Sequence, residues 1–272
     1  MNYINKNYFT PLLNLFLEKV EKDYDCRYYQ LPFIPYTFSK YHSAERKIFY
    51  VGRDTYYWLE LDALFDSSNK INHELYLERN CEYVTTDNIL NDWSKAGSFW
   101  GFVGHLQLLL SKGVYYRDFS TLKEEDLDCF HEVGYGNLFS IELPETLKKK
   151  KYTDKESGLE RNEYNDINDW NKYYRIKENS IVFEGLETIF KAYGEPDFVI
   201  ITSWIDKDDF FKNLSDYQFV PEYYIENKLS VFTSKVHKTK VIWTSHPNRF
   251  SFLGTNVKEM CELIFKTINE LS

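Results

Sequence analysis

Three short stretches of the chain combine residue types able to break or recognise a covalent bond, two directly after an apolar run and one inside a strand-like run. The first is Gly52-Arg53-Asp54-Thr55-Tyr56-Tyr57-Trp58, after Lys47-Ile48-Phe49-Tyr50-Val51. A carboxylate such as Asp54 at the mouth of an apolar strand is partly desolvated, which makes it a useful base for water. Gly52 permits a tight turn and close backbone approach to a ligand. Asp is also a preferred helix N-cap, so Asp54 equally reads as the start of a following helix. The second stretch is Val133 to Leu143, with Gly134-Tyr135-Gly136-Asn137 inside it. The Asn137 amide offers a donor and an acceptor together, as reading the edge of a base requires, although Asn is also common in turns. The third is Thr244-Ser245-His246-Pro247-Asn248-Arg249-Phe250-Ser251, after Lys240-Val241-Ile242-Trp243. His246 stands just outside a strand and Pro247 constrains the loop. Arg249 and Phe250 project a cation and a large ring from that loop. A phosphate contact beside an intercalating wedge is how proteins hold kinked duplex DNA; the other reading tucks Phe250 into the core.

The elements that must position these residues are legible from periodicity. Thr10-Pro11 reads as the start of a helix, with Pro11 at the first helical position and Leu12, Phe16 and Val20 on one face. Residues 47–51 form a short buried strand. Ser98 caps a second helix, with Phe99, Phe102, Leu106 and Leu110 at helical spacing and Gly113 stopping it. Val133 to Leu143 reads as a strand, Ser180 to Tyr193 as a helix ended by Gly194, and Phe198 to Thr202 as a strand. Two more strands are expected near Leu229–Thr233 and Lys240–Thr244, and a final helix from a Thr255 cap. Alternation of this kind implies a mainly parallel sheet covered on both faces, with ligands bound beyond the carboxyl ends of its strands. A single α/β domain over residues 1–272 is expected. Residues 1–45 form an N-terminal extension, and the charged stretch 148–175 reads as an exposed insertion.

Composition narrows the classes. The 272 residues are 43% hydrophobic and 18% aromatic, with only 11 Gly and 7 Pro, which excludes collagen, low-complexity disorder and a disulfide miniprotein. Lys and Arg total 33 against 42 Asp and Glu, so the net charge of −9 argues against a general nucleic-acid coat but leaves room for a local cationic groove. Cys26, Cys81, Cys129 and Cys261 form no C-x-x-C pair, so a structural zinc or iron–sulfur site is not expected and reduced thiols are. No apolar run of about 18 residues exists and the N-terminus lacks the pattern of a secretory signal, so a cytoplasmic monomer off the membrane is expected.

The three stretches, in this order and at these strand ends, resemble the uracil-DNA glycosylase superfamily. Its members carry a G-Q-D-P-Y-H-like loop after the first strand, an Asn at the end of a second, and an H-P-S-P-L-S-like loop near the C-terminus. Pro196 to Trp204 (PDFVIITSW) is similar to the strand before that last segment, and the resemblance runs from Arg46 to Ser272. It implies a three-layer α/β/α sandwich around a mainly parallel four-stranded sheet, and a monofunctional DNA glycosylase that hydrolyses the N-glycosidic bond of a flipped-out base and leaves an abasic site. In that reading Asp54 activates the attacking water and His246 donates a hydrogen bond to the departing base. Asn137 reads the pairing edge, Tyr56 crowds the C5 side of a pyrimidine, and Gly52 belongs to the base-binding set with them. Arg249 and Phe250 hold the DNA, and neither metal nor other cofactor is needed. Trp58, Phe65, Phe99 and Trp100 are candidates for the ring that stacks on the base. Arg53 stands where the family has Gln, adding a cation to the DNA-facing loop. Thr55 replaces a Pro, Tyr57 a His, and Arg249 the second Pro. These departures fit another lesion, or a bulky modified pyrimidine of the kind bacteriophages place in DNA. The alternatives are a catalytically inactive nucleic-acid-binding module of the same fold and an unrelated hydrolase of small nucleosides.

Overall fold

A computed structural model of the chain describes residues 2–22, 31–52, 71–83, 85–92, 94–95, 97–141, 151–153, 160–162, 170–203, 214, 218–225 and 228–272. The first helix, α1 (Lys6–Val20), begins one turn earlier than Pro11 suggests. Asn5 is its cap, with Oδ1 accepting from the Tyr8 N–H at 3.2 Å, and Pro11 sits inside the helix. A short asparagine acceptor satisfies an orphan N–H of the first turn, and this outweighs the preference for Pro at the first position. Phe9, Leu13, Phe16 and Val20 form its buried stripe.

The sheet is larger than the four strands expected. It comprises β1 (Tyr36–Thr37), β2 (Ile48–Gly52), β3 (Val133–Asn137), β6 (Phe198–Thr202), β7 (Phe219–Ile225), β8 (Leu229–Ser234) and β9 (Lys240–Thr244), in the order β1-β3-β2-β6-β9-β8-β7. The four middle strands β3-β2-β6-β9 are parallel, while β1 on one edge and β8 and β7 on the other are antiparallel. Among the described residues the result is a seven-stranded mixed sheet. A separate hairpin pairs β4 (Lys151–Thr153) with β5 (Glu160–Asn162), inside the stretch read as an exposed charged insertion. Residues 36–37 are too few to show a period, and Pro221 and Glu222 within β7 make its text look like a loop.

Helices α2 (His73–Glu82), α3 (Thr86–Asp92), α4 (Phe99–Lys112), α5 (Trp170–Ser180), α6 (Gly185–Tyr193) and α7 (Val257–Leu271) complete the framework. Helix α4 has the ends the sequence indicates. Ser98 Oγ accepts from Gly101 N–H at 3.2 Å, and Gly113 closes the helix at φ +70°, where a Cβ would be disfavoured. Helix α7 starts from Asn256 rather than Thr255; Asn256 Oδ1 accepts from Glu259 N–H at 3.0 Å. The expected helix 180–193 is α6 joined to α5 through a 3-10 turn, Ile181–Phe183.

Alternation along β2 shows that helices cover both faces of the sheet. Phe49 meets Tyr193 of α6, with ring centroids 5.9 Å apart, while its neighbour Tyr50 accepts from Gln107 Nε2 of α4 at 2.7 Å. Successive side chains of a strand point to opposite faces, so α6 and α4 lie on opposite sides. Both faces are therefore core, which is why the middle strands read as unbroken apolar runs rather than alternating ones. The 1–45 stretch is built into this core. Residues 31–38 are all buried, and the Asn80 amide accepts from Ile34 N–H and donates to its carbonyl. Among the described residues no helix is long and apolar enough to cross a membrane.

The face shared with α6 depends on a glycine in β3. A Cβ at Gly134 would lie 2.1 Å from the Phe49 ring, which itself is fully buried. Gly134→Ala should lower unfolding stability by roughly 1–3 kcal/mol through overpacking, read as a fall in the urea midpoint with an unchanged slope.

Candidate active site at the carboxyl ends of the parallel strands

The parallel ladder sets four strand ends in one row. Gly52 is in register with Asn137, and Thr202 with Thr244; the β2–β6 register, ending at Val51–Ile201, continues to bring Gly52 beside Thr202. Three strand spacings of about 4.8 Å separate Asn137 from Thr244, roughly 14 Å across the row. His246 follows Thr244 by two residues, so the Gly52, Asn137 and His246 segments share one edge of the sheet, the edge where ligands of parallel sheets bind.

Gly52 is required there by space. A Cβ on it would stand 2.6 Å from Asn137 Oδ1, so the amide lies across the glycine. The Asn137 side chain is 4% exposed, and its Oδ1 accepts from the Tyr135 hydroxyl at 3.1 Å. Tyr135 is in turn wedged among aromatic rings, including Trp100 at 4.6 Å and Phe33 at 5.3 Å between centroids. With Oδ1 engaged, the amide presents Nδ2, which has no hydrogen-bond partner among the described residues. A buried, oriented and unsatisfied donor is the feature of this edge that calls for a ligand acceptor. Tyr135 was not singled out in the sequence, although its position two residues before Asn137 on one strand puts both on one face.

His246 is half-buried, and its Nδ1 accepts from Asn248 N–H at 3.3 Å. That bond puts the proton of the neutral ring on Nε2 as a donor. Burial lowers the imidazole pKa below its ordinary 6.5, so the neutral form dominates at pH 7. The loop is fixed from behind by Gly97, at φ +79°, where a Cβ would be 2.7 Å from Asn248 Cα.

The segment Pro247–Leu253 is a 3-10 helix, and this corrects the expected wedge. Three residues per turn align residues i and i+3. Pro247 and Phe250 face inward, and Phe250 is 1% exposed against Phe102 with centroids 5.7 Å apart. Phe250 is thus a core residue and is not offered to DNA. Arg249 and Phe252 face outward instead; Phe252 is 77% exposed, with the Arg249 guanidinium 5.1 Å over its ring. The loop presents a cation and an aromatic as expected, but with the second phenylalanine of the F-S-F triplet.

Arg53, Asp54 and Tyr56 lie outside the described residues, as do Trp58 and Phe65. Of the remaining stacking candidates, Phe99 and Trp100 pack on Tyr135 and support the amide from below. Cys81 and Cys129 are buried free thiols whose pKa burial pushes up to about 12, so neither is a nucleophile at pH 7. Cys26 lies outside the described residues. Among the described residues no three His, Cys, Asp or Glu side chains gather in a way that would hold a metal. Comparison with protein-family models, curated proteins and solved structures finds no match to this chain.

The two phenylalanines should separate cleanly. Phe250→Ala should cost about 3–5 kcal/mol of stability by opening a core cavity, whereas Phe252→Ala should stay within about 0.5 kcal/mol, as for surface substitutions. Chemical denaturation of both variants reads the difference.

Proposed function

We propose that the chain hydrolyses the N-glycosidic bond of an everted, unusual base in DNA, with the glycosylase-like three-layer arrangement the sequence suggests. The carrying observation is the buried Asn137 Nδ2, oriented by Tyr135 and unpartnered, at the same strand-end edge as the His246 loop. Its role is to donate to a carbonyl or ring-nitrogen acceptor on the base. His246 donates from Nε2 to the departing base as the bond between C1′ and the base nitrogen breaks and the electron pair leaves with the base. Water adds to C1′ and gives its proton to the Asp54 carboxylate, which also stabilises the sugar cation; Asp54 enters from the sequence resemblance. Two neutral donors converging on a leaving anion act where charge develops, which is the most effective kind of transition-state stabilisation. Tyr56 and Arg53 retain their sequence-derived roles beside the base and the backbone. The exposed Arg249 and Phe252 extend the DNA contact, one towards phosphate and one towards a base face.

A second reading is a binding module without chemistry. The Arg249–Phe252 pair favours it, because a stacked cation and ring suffice to hold a single-stranded base.

The deciding experiment incubates the protein with oligonucleotides carrying uracil, hypoxanthine or 5-substituted pyrimidines and measures alkali-labile abasic sites. Base release lost by about 100-fold or more in Asp54→Asn and His246→Gln supports the glycosylase reading. Binding without release favours the module. No binding at low salt rejects both.

The charge state of His246 gives an independent signature. Its folded pKa is depressed, so the neutral donor persists as pH falls through about 6.5, the ordinary value. The acid limb of kcat/KM should therefore lie below about 6.5 and vanish in His246→Gln. Arg249→Ala should weaken DNA binding for all sequences alike and reduce the slope of log affinity against log salt by about 1.

A further inference from the structure

The row of strand ends contains a second orphan. Thr202 is fully buried, and its Oγ1 has no hydrogen-bond partner among the described residues. Its row neighbour Thr244 behaves as a strand threonine ordinarily does, donating to the Lys228 carbonyl at 2.9 Å. Buried hydroxyls are rarely left unpaired, yet two polar groups of this row, Thr202 Oγ1 and Asn137 Nδ2, lack partners.

The two groups share a face. Residues in one row of a parallel sheet point the same way, and two contacts fix which way. Thr244 Oγ1 reaches Met260 Sδ of α7 at 3.5 Å. Tyr135, on the same face as Asn137, packs on Phe99 and Trp100 at the start of α4. Helices α4 and α7 are packed against one another on that side. In the row, Gly52 lies between Asn137 and Thr202, and the Asn137 amide leans across it towards Thr202.

We propose that Thr202 is a further ligand-binding residue, whose hydroxyl and the Asn137 amide together hold the polar edge of one flat heterocycle at the strand-end row. The inference rests on the base-binding reading of this row. Two strand spacings put the flanking α-carbons roughly 9.6 Å apart. Both side chains rise from one face of the sheet, so one small ring held above the row can meet both groups. Asn137 supplies a donor, so the atom facing it is an acceptor. The Thr202 oxygen can accept from a ring N–H, so a ring that carries both a carbonyl and an N–H, as a cyclic amide does, satisfies the pair.

The test compares Thr202→Val, which removes the hydroxyl at nearly constant shape, with Thr202→Ser, which keeps it. Base release from uracil- and hypoxanthine-containing duplexes should fall about tenfold or more in kcat/KM for the Val variant, chiefly through KM, and within about threefold for Ser. The melting temperature of the Val variant should hold or rise, because an unpaired buried hydroxyl has been replaced by a methyl. Wild-type kinetics in Thr202→Val would overturn the role of Thr202 and leave the glycosylase reading intact. Should the wild type release no base, that reading fails by itself, and free uracil and free hypoxanthine serve as probes in thermal-shift titrations. Stabilisation of the wild type that is lost in Thr202→Val and kept in Thr202→Ser then supports the Thr202 site. No stabilisation of the wild type, or equal stabilisation of the Val variant, overturns it.

Discussion

The in-register hydrogen bonding of the four parallel strands is the constraint on which the rest depends. Residues 52, 137, 202 and 244 are far apart in the chain, and only the ladder sets them in one row. A slip of one residue in any strand would turn its side chains to the opposite face. Asn137 would then leave Gly52, and Thr244 would leave Met260. Burial on both faces opposes such a slip: Phe49 fits only beneath Gly134 on the α6 side, and Tyr50 meets Gln107 on the α4 side. Packing far below the edge thereby fixes which chemical groups appear at it.

Those groups are alike in character. The amide of Asn137 and the neutral ring of His246 are donors, and neither brings a formal charge. An unsatisfied buried donor costs the fold about 1–3 kcal/mol, so the edge is held in a state that a ligand acceptor would relieve. Donors fixed in advance need no reorganisation when negative charge develops in front of them. In the proposed glycosylase reaction this reconciles a chain of net charge −9 with an anionic leaving group, because recognition at close range is dipolar rather than a broad positive field.

Much of this architecture was legible in the text, because the middle strands and α4 carry strong local signals. Residues 48–52, 198–202 and 240–244 are apolar runs bounded by turn residues, and α4 is written between Ser98 and Gly113. The positions of Gly52 and His246 at strand ends followed from those runs, whereas the strand expected over Val133–Leu143 stops at Asn137. What failed has physical causes. Helix α1 was misplaced because Asn5 provides a cap that Pro11 obscured. β1 and β7 were missed because one is two residues long and the other is interrupted by proline. Phe250 and Phe252 differ only in which side of a 3-10 turn they occupy, and choosing between them needs the three-residue period that pairs Pro247 with Phe250. Thr202 carried no textual signal, since an orphaned hydroxyl is defined by what surrounds it.

The irregularity of β7 has a consequence beyond the edge of the sheet it ends. Among the described residues β7 is the sheet's edge, where alternate residues would otherwise offer backbone groups to any passing extended chain. Pro221 offers no N–H, and the register shift between Pro221 and Tyr223 breaks the row in the middle. A stray polypeptide finds at most a few consecutive bonds there before the geometry fails. The same proline that disguised the strand in the text thus acts as a guard against unwanted self-association.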